Sequence, residues 1–200
     1  MAAFFYGTLI HPQILRRVIG NPAEHLAVSP AVLLNADYPA IVPTHNSQSI
    51  FQRPLTQDEN SVRGILVTGL TDEDIRLLDI FEGDEYTRET VSVHPLVSAE
   101  PLNSDNVIVP RTTPSLPPLD ALPPAVTAQT YVWVDSLDHL EPAIWEYSDF
   151  VKDSAWKWVG KSDSEEYVEV DKRREMNGKI VRTEIVGEGN GDKKVVVETA

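Results

Sequence analysis

The chain has 200 residues, 42% of them hydrophobic, which suffices for one good core but not for two comfortable domains. Its 31 acidic and 17 basic side chains give a net charge of -14, which disfavours nucleic acid and anionic membranes as partners. The absence of cysteine excludes disulfides, thiolate nucleophiles and cysteine-bound metals, and without a long apolar run the sequence predicts a soluble cytoplasmic protein.

The amino-terminal segment predicts a strand, a tight turn and a short helix. Residues 2–6 (AAFFY) are apolar and short, as in a buried strand, and Gly7 interrupts them. Apolar residues then recur at helical spacing over 12–19, with a proline suited to the first turn. Gly20 is suited to end this helix in the left-handed conformation.

The middle of the chain alternates predicted strands with one clear helix. The helix spans 71–83, because Thr71 and Asp74 resemble a capping box and Gly83 can end it. The predicted strands are 31–34, 38–42, 62–68 and 86–94, with a polar loop over 43–61.

Residues 95–129 differ from the rest of the chain. This stretch holds 8 of the 15 prolines and no aromatic residue, which predicts a long surface loop without a packed element. We interpret it as an insertion into a domain spanning 1–160, with a functional flap as the alternative.

The carboxyl-terminal part predicts a strand over 130–134, then a helix that begins near Glu141 and stops at Gly160. Residues 161–200 are a charged extension, interpreted as a helix followed by two strands around a glycine-rich turn. These strands are candidates for pairing with a second copy of the chain, which would give a homodimer.

The turn formed by Tyr6, Gly7, Thr8 and Leu9 is the first candidate site. A glycine there lets a ligand approach the backbone, and consecutive N–H groups beside a helix start can hold a carboxylate. An ordinary turn between strand and helix has the same pattern, so the turn alone does not establish a site.

Glu82 is the second candidate. It follows Leu78 by four residues, at the edge of the apolar stripe and at the negative end of the helix dipole, and both effects raise the proton affinity of a carboxylate. Tyr86 can present its hydroxyl nearby if helix end and strand meet. The alternatives are a rim glutamate that pairs with Arg88 or caps the turn, and a half-buried strand tyrosine.

Several motifs occur together in one order: FYGTL, YPAIVP, VRGILV, LLDIFEGDEYTRETVSV and YVWV. In this order they resemble the γ-glutamylcyclotransferase-like superfamily, over roughly 3–94 and 130–160. The AIG2-like branch, which includes γ-glutamylamine cyclotransferase, is the most similar. The resemblance implies an α+β fold, a small mixed β-barrel packed with helices.

The resemblance also implies site residues and a reaction. The catalytic glutamate falls on Glu82, the substrate loop on Tyr6, Gly7, Thr8 and Leu9, and an active-site tyrosine on Tyr86. The implied reaction is acyl transfer within a small γ-glutamyl amide, giving 5-oxoproline and a free amine, with no metal or organic cofactor. Two alternatives stay open: another acid/base rearrangement on this fold, and a non-catalytic module that binds a ligand or protein.

Overall fold

The computed structural model describes residues 1–34, 36–37, 42–43, 51–102 and 116–140. Within these ranges no helix is long and apolar enough to cross a membrane. The helices and strands, in chain order, are β1 (Ala2–Phe5), α1 (Pro12–Ile19), β2 (Ala27–Leu34), β3 (Ala36–Asp37), β4 (Val42–Pro43), β5 (Ser61–Thr68), α2 (Asp72–Glu82), β6 (Tyr86–Pro95), β7 (Glu100–Pro101) and β8 (Val126–Trp133).

Five strands close into a mixed β-barrel. Strand β1 pairs antiparallel with β5, β5 with β2, β2 with β6, and β6 with β8. Strand β8 returns to β1 in parallel, with Ala3 opposite Gln129, so these five strands form a closed ring. Closure pairs strand edges that would otherwise be exposed. The α+β fold with a small mixed barrel and helices is therefore confirmed.

Side chains alternate between the barrel interior and the side covered by helices, because successive strand residues point to opposite faces. On β1, Phe4 points inward while Ala3 and Phe5 pack under the helices. The interior cluster takes residues from all five strands, namely Phe4, Ala31, Leu33, Val62, Leu66, Val93, Ala128 and Val132.

The two helices pack together over the outer side of β1, β5 and β8. Helix α1 buries Ile14, Leu15, Val18 and Ile19, as the helical spacing predicts. Gly20 ends this helix with a φ of 69°, the left-handed conformation that favours glycine. Helix α2 begins with the predicted capping box, in which the side chains of Thr71 and Asp74 each bond the other residue's backbone N–H.

Strands β2 and β8 each begin four residues before their predicted starts, at Ala27 and Val126. The prediction that 95–129 holds no packed element is wrong at both ends of that stretch. Strand β7 pairs with β2, and Leu102 behind it is buried in the core under the helices. The proline-rich composition did not prevent pairing at either end, because β2 is the partner strand for β7 and β6 is the partner strand for the first residues of β8.

Five predicted segments lie wholly or partly outside the described residues. They are most of the 38–42 strand, residues 44–50 of the 43–61 loop, residues 103–115 of the 95–129 loop, the helix from Glu141 to Gly160, and the extension 161–200 with its pairing strands. The division into a domain over 1–160 and an extension therefore stays a prediction.

Candidate active site

The strand register brings the predicted site segments to one end of the barrel. Because β1 and β8 are parallel, the chain leaves both strands at the same end. Strand β6 starts at that end, with Tyr86 opposite Trp133, and the N–H of Val134 donates to the carbonyl oxygen of Glu85 at 3.0 Å. The Tyr6–Leu9 turn and the Glu82–Tyr86 segment thus share this end.

The Tyr6–Leu9 turn continues as a 3-10 turn over Gly7–Ile10. The half-buried Tyr6 donates its hydroxyl to the carbonyl oxygen of Tyr131 at 2.7 Å. Gly7 has a φ of 72°, and no atom lies within 4 Å of where a side chain would begin, so its backbone borders open space. Thr8 is half-buried, whereas Leu9 packs into the core and has only its backbone to offer a ligand.

His11 joins this turn to helix α1. Its N–H donates to the carbonyl oxygen of Thr8 at 3.1 Å, and its Nδ1 accepts a hydrogen bond from the N–H of Gln13 at 3.3 Å. The side chain therefore caps α1 and must carry no proton on Nδ1 to do so. Burial lowers the pKa of His11, which favours this neutral form.

Glu82 is the last residue of α2 and is half-buried, as its place at the edge of the apolar stripe predicts. Gly83, with a φ of 67°, ends the helix directly behind it. The neighbouring side chain of Phe81 packs against the core that also contains Leu9. The negative charge of Glu82 is one of the causes that raise the pKa of Tyr131.

Tyr131 is a buried residue near the end of β8, in the cluster under the helices. Its hydroxyl donates to Oδ1 of Asp79 at 2.8 Å. Burial, followed by this hydrogen bond and the charges of Asp79 and Glu82, raises the pKa of Tyr131 far above its ordinary value. The hydroxyl therefore stays protonated and directs its proton at Asp79.

Asp79 also binds Arg88, whose Nε donates to Oδ1 at 2.8 Å and whose Nη2 donates to Oδ2 at 3.3 Å. This is a charge-assisted, two-point contact. One alternative from the sequence paired Arg88 with Glu82. The residue that Arg88 binds at two points is Asp79. Arg88 further donates from Nη1 to Oε1 of Gln129 at 3.0 Å.

A cavity of about 590 Å³ opens beside the end of α2. Its wall includes Asp79, Arg88 and Tyr131. Tyr86 also lines it, and its ring meets that of Trp133 edge to face, with centroids 5.2 Å apart. The remaining lining residues are Arg76, Ile80, Gly83, Asp84 and Thr87.

The sequence analysis missed Asp79 and Tyr131 as parts of this site. Asp79 precedes Glu82 by three residues on α2, a spacing that places both on one helix face and that was available as a signal. Tyr131 lies inside an apolar strand pattern, which carries no such signal. Among the described residues no group of acidic or histidine side chains has the arrangement of a metal site.

The chain matches the family described as Gamma-glutamyl cyclotransferase, AIG2-like, over residues 3–157. It therefore belongs to this family, which confirms the resemblance seen in the motifs.

This chain is similar to one named plant protein and to two solved structures. Protein AIG2 C of Arabidopsis thaliana is 24% identical over 164 residues, covering 78% of this chain and 75% of that protein. A solution structure from Arabidopsis thaliana has 21% identity and a TM-score of 0.44, covering 94% of both chains. A crystal structure of a yeast γ-glutamyl cyclotransferase specific to glutathione has 14% identity and a TM-score of 0.44, covering 88% of this chain and 86% of that chain.

Proposed function

We propose that this protein is a γ-glutamyl cyclotransferase-like enzyme that converts a γ-glutamyl amide into 5-oxoproline and a free amine. Glu82 acts as the general acid and base, the Tyr6–Leu9 turn holds the glutamyl part, and Tyr86 borders the reacting groups. The observation that carries the proposal is the half-buried Glu82 at the barrel end where this turn begins, in a chain of the AIG2-like family.

The reaction needs little covalent help from the protein. The α-amine and the γ-carbonyl belong to one molecule, so holding the productive rotamer replaces much of the activation entropy. An α-amino group has a pKa of about 8 and is mostly protonated at neutral pH. It must lose that proton before its nitrogen can attack.

Glu82 takes the proton from the α-ammonium group. The freed nitrogen attacks the γ-carbonyl carbon, and a five-membered ring with a tetrahedral, oxyanionic carbon forms. Glu82 then returns this proton to the departing amine nitrogen as the original amide bond breaks. The ring nitrogen passes its second proton to the freed amine, which leaves as an ammonium ion. Proton transfer of this kind is worth about 10²–10⁴ in rate.

The Tyr6–Leu9 turn suits the substrate's negative groups. Tyr6 makes no side-chain hydrogen bond that caps the 3-10 turn, and Gly7 leaves open space over the backbone. Backbone N–H groups in such a turn can bind the substrate's α-carboxylate or the developing oxyanion.

The test is release of 5-oxoproline from a panel of γ-glutamyl amides with different amine halves. We expect the wild type to release it and Glu82→Gln to lower kcat by about 10²–10⁴. Glu24→Gln is the matched control, because Glu24 is an exposed glutamate in the connection between α1 and β2. Unfolding curves for all three proteins show whether the fold is retained.

Two outcomes would contradict the proposal, each in a different way. Full activity in Glu82→Gln would reject the role of Glu82 while leaving the reaction in place. No 5-oxoproline from a folded wild type with any member of the panel would reject the reaction. The binding-module alternative would then be tested by calorimetry with the same amides.

A further inference from the structure

An ion pair joins Asp79, on the helix that ends at Glu82, to Arg88 on β6. Asp79 and Glu82 are three residues apart on α2, so their side chains lie on neighbouring turns of one face. Asp79 accepts hydrogen bonds from Nε and Nη2 of Arg88 and from the hydroxyl of Tyr131. The guanidinium of Arg88 thus balances the negative charge of Asp79, and the hydroxyl of Tyr131 donates one more hydrogen bond to it.

Arg88 is fixed from a second side. It stands directly opposite Tyr131 in the pairing of β6 with β8. Its Nη1 donates to Gln129, and Nε2 of Gln129 donates in turn to the hydroxyl of Thr90 at 2.9 Å. A guanidinium held by one group on helix α2 and one on strand β8 has little freedom to leave Asp79.

The charges of this pair and of Glu82 act on one common group. The charges of Asp79 and Glu82 raise the pKa of Tyr131, and that of Arg88 lowers it. Within the described ranges, several ionisable groups lie on the segments that meet at this end of the barrel. They include Arg76 and Asp79 on α2, Asp84 and Glu85 in the following turn, Tyr86 and Arg88 on β6, Tyr131 on β8, Asp135 after β8, and Tyr6 and His11 after β1.

We propose that Asp79 and Arg88 are positioning residues for Glu82, in that their ion pair sets the charge beside the Glu82 carboxylate and so its affinity for a proton. The inference rests on the proposed function for its catalytic meaning. Tyr131 anchors the pair by binding Asp79. Both partners line the cavity whose wall includes Gly83, the residue after Glu82, while Glu82 itself is not part of that wall.

The two halves of the pair have opposite effects when removed singly. In Arg88→Gln the charge of Asp79 is left unbalanced one turn from Glu82, and a nearby like charge raises the pKa of a carboxyl. In Asp79→Asn the positive charge of Arg88 is left unbalanced, and a nearby positive charge lowers the pKa of a carboxyl such as that of Glu82. We expect shifts of about 0.5–1 pH unit in opposite directions.

The experiment is a ¹³C NMR titration of the Glu82 carboxyl group in the full chain, assigned by the signal missing from Glu82→Gln. We expect the midpoint to rise in Arg88→Gln, to fall in Asp79→Asn, and to return near the wild-type value in the double variant. Glu73→Gln is the control, because it breaks an exposed ion pair with Arg76 on the same helix, farther from Glu82. In Glu73→Gln the titration midpoint of Glu82 should shift by less than about 0.2 pH unit, since solvent screens exposed charges.

The pH dependence of kcat/KM for 5-oxoproline release is the second readout, and its acidic limb should move with the NMR midpoint. A merely structural ion pair would reduce stability in both single variants without opposite shifts. Shifts in the same direction, or none, would overturn the inference. If the wild type releases no 5-oxoproline, the NMR arm still decides the inference, while the proposed function alone fails.

Discussion

The hydroxyl of Tyr6 donates a 2.7 Å hydrogen bond to the backbone carbonyl oxygen of Tyr131. Tyr131 in turn uses its own hydroxyl to bind Asp79. One residue of β8 therefore connects the turn after β1 with the last turns of α2. The two halves of the proposed site are linked through backbone and side chain of a buried tyrosine, so a change on one side is expected to reach the other.

Tyr6→Phe tests this link. The ring keeps its packing against the interior cluster of the barrel, and only the hydroxyl is lost. We expect the free energy of unfolding to fall by about 1 kcal/mol, because the carbonyl of Tyr131 loses a partner. We also expect KM for the amide to rise more than kcat falls, since the turn is proposed to bind and not to react.

Urea unfolding and 5-oxoproline kinetics measure these two effects. Unchanged stability together with unchanged KM would show that the hydrogen bond does not position the turn.

Gly7→Ala tests the effect of backbone conformation on stability at a position where an added methyl group causes no steric clash. A φ of 72° is strained for alanine, yet the added carbon would meet no atom within 4 Å. We expect a stability loss of about 1 kcal/mol from conformation alone, and a raised KM because the methyl group enters the space left for a ligand.

Gly64→Ala is the contrasting variant. Its added carbon would overlap the carbonyl oxygen of Phe5 and the ring of Phe4 inside the barrel. We expect a larger stability loss there, about 2–3 kcal/mol or more, because packed backbone and ring must shift. Equal losses in the two variants, measured by urea unfolding, would contradict this distinction.

Local signals made the helices predictable. The Thr71–Asp74 capping box and the left-handed Gly20 fix helix ends through contacts within one turn, so the sequence alone carries them. Strand β2 was predicted too short because Ser29 and Pro30 are poor strand residues, yet both lie in register with β5. Tertiary pairing outweighs local preference there.

The site was predictable only in part, for the same reason. The positions of Glu82 and the Tyr6–Leu9 turn follow from helix spacing and from family motifs. The bond between Tyr131 and Asp79 joins residues 52 positions apart in sequence, and it depends on the register of β6 with β8. No local pattern encodes that register, so the sequence alone does not show which charged groups lie at the end of α2 with Glu82.

Asp74 supplies a prediction about acid stability. It is 1% exposed and accepts hydrogen bonds from the backbone and hydroxyl of Thr71, from Asn21 and from His25. Burial raises the pKa of Asp74, but these hydrogen bonds outweigh burial and leave its pKa below the ordinary value. Its contribution to stability is therefore complete above about pH 4 and is lost as the pH falls through the lowered native pKa.

Asp74→Asn is expected to cost about 1–3 kcal/mol at neutral pH, because charged hydrogen bonds across α2 and the α1–β2 connection are lost. Its stability should also depend less on pH below 4 than that of the wild type. Asp72→Asn is the control, since Asp72 is an exposed aspartate in the same first turn. Parallel pH profiles for wild type and Asp74→Asn in urea unfolding would refute the assignment.

His11 gives a second pH dependence, at milder acidity and beside the proposed substrate turn. Burial lowers the pKa of His11, and its Nδ1 accepts from Gln13 only when unprotonated. The unfolded chain therefore binds this proton first as the pH falls. The stabilisation from neutral His11 is complete above about pH 6.5 and is lost as the pH falls through the lowered native pKa.

His11→Asn keeps an oxygen that can cap α1 but removes the titrating group. We expect its stability to fall less than that of the wild type between about pH 6.5 and 5, the window below the ordinary histidine pKa. His139→Asn is the control, because His139 is an exposed histidine that contacts Asp135 and is distant from His11 in sequence. Urea unfolding at a series of pH values measures all three. The same slope in wild type and His11→Asn would mean that the cap does not couple protons to the turn that carries Thr8.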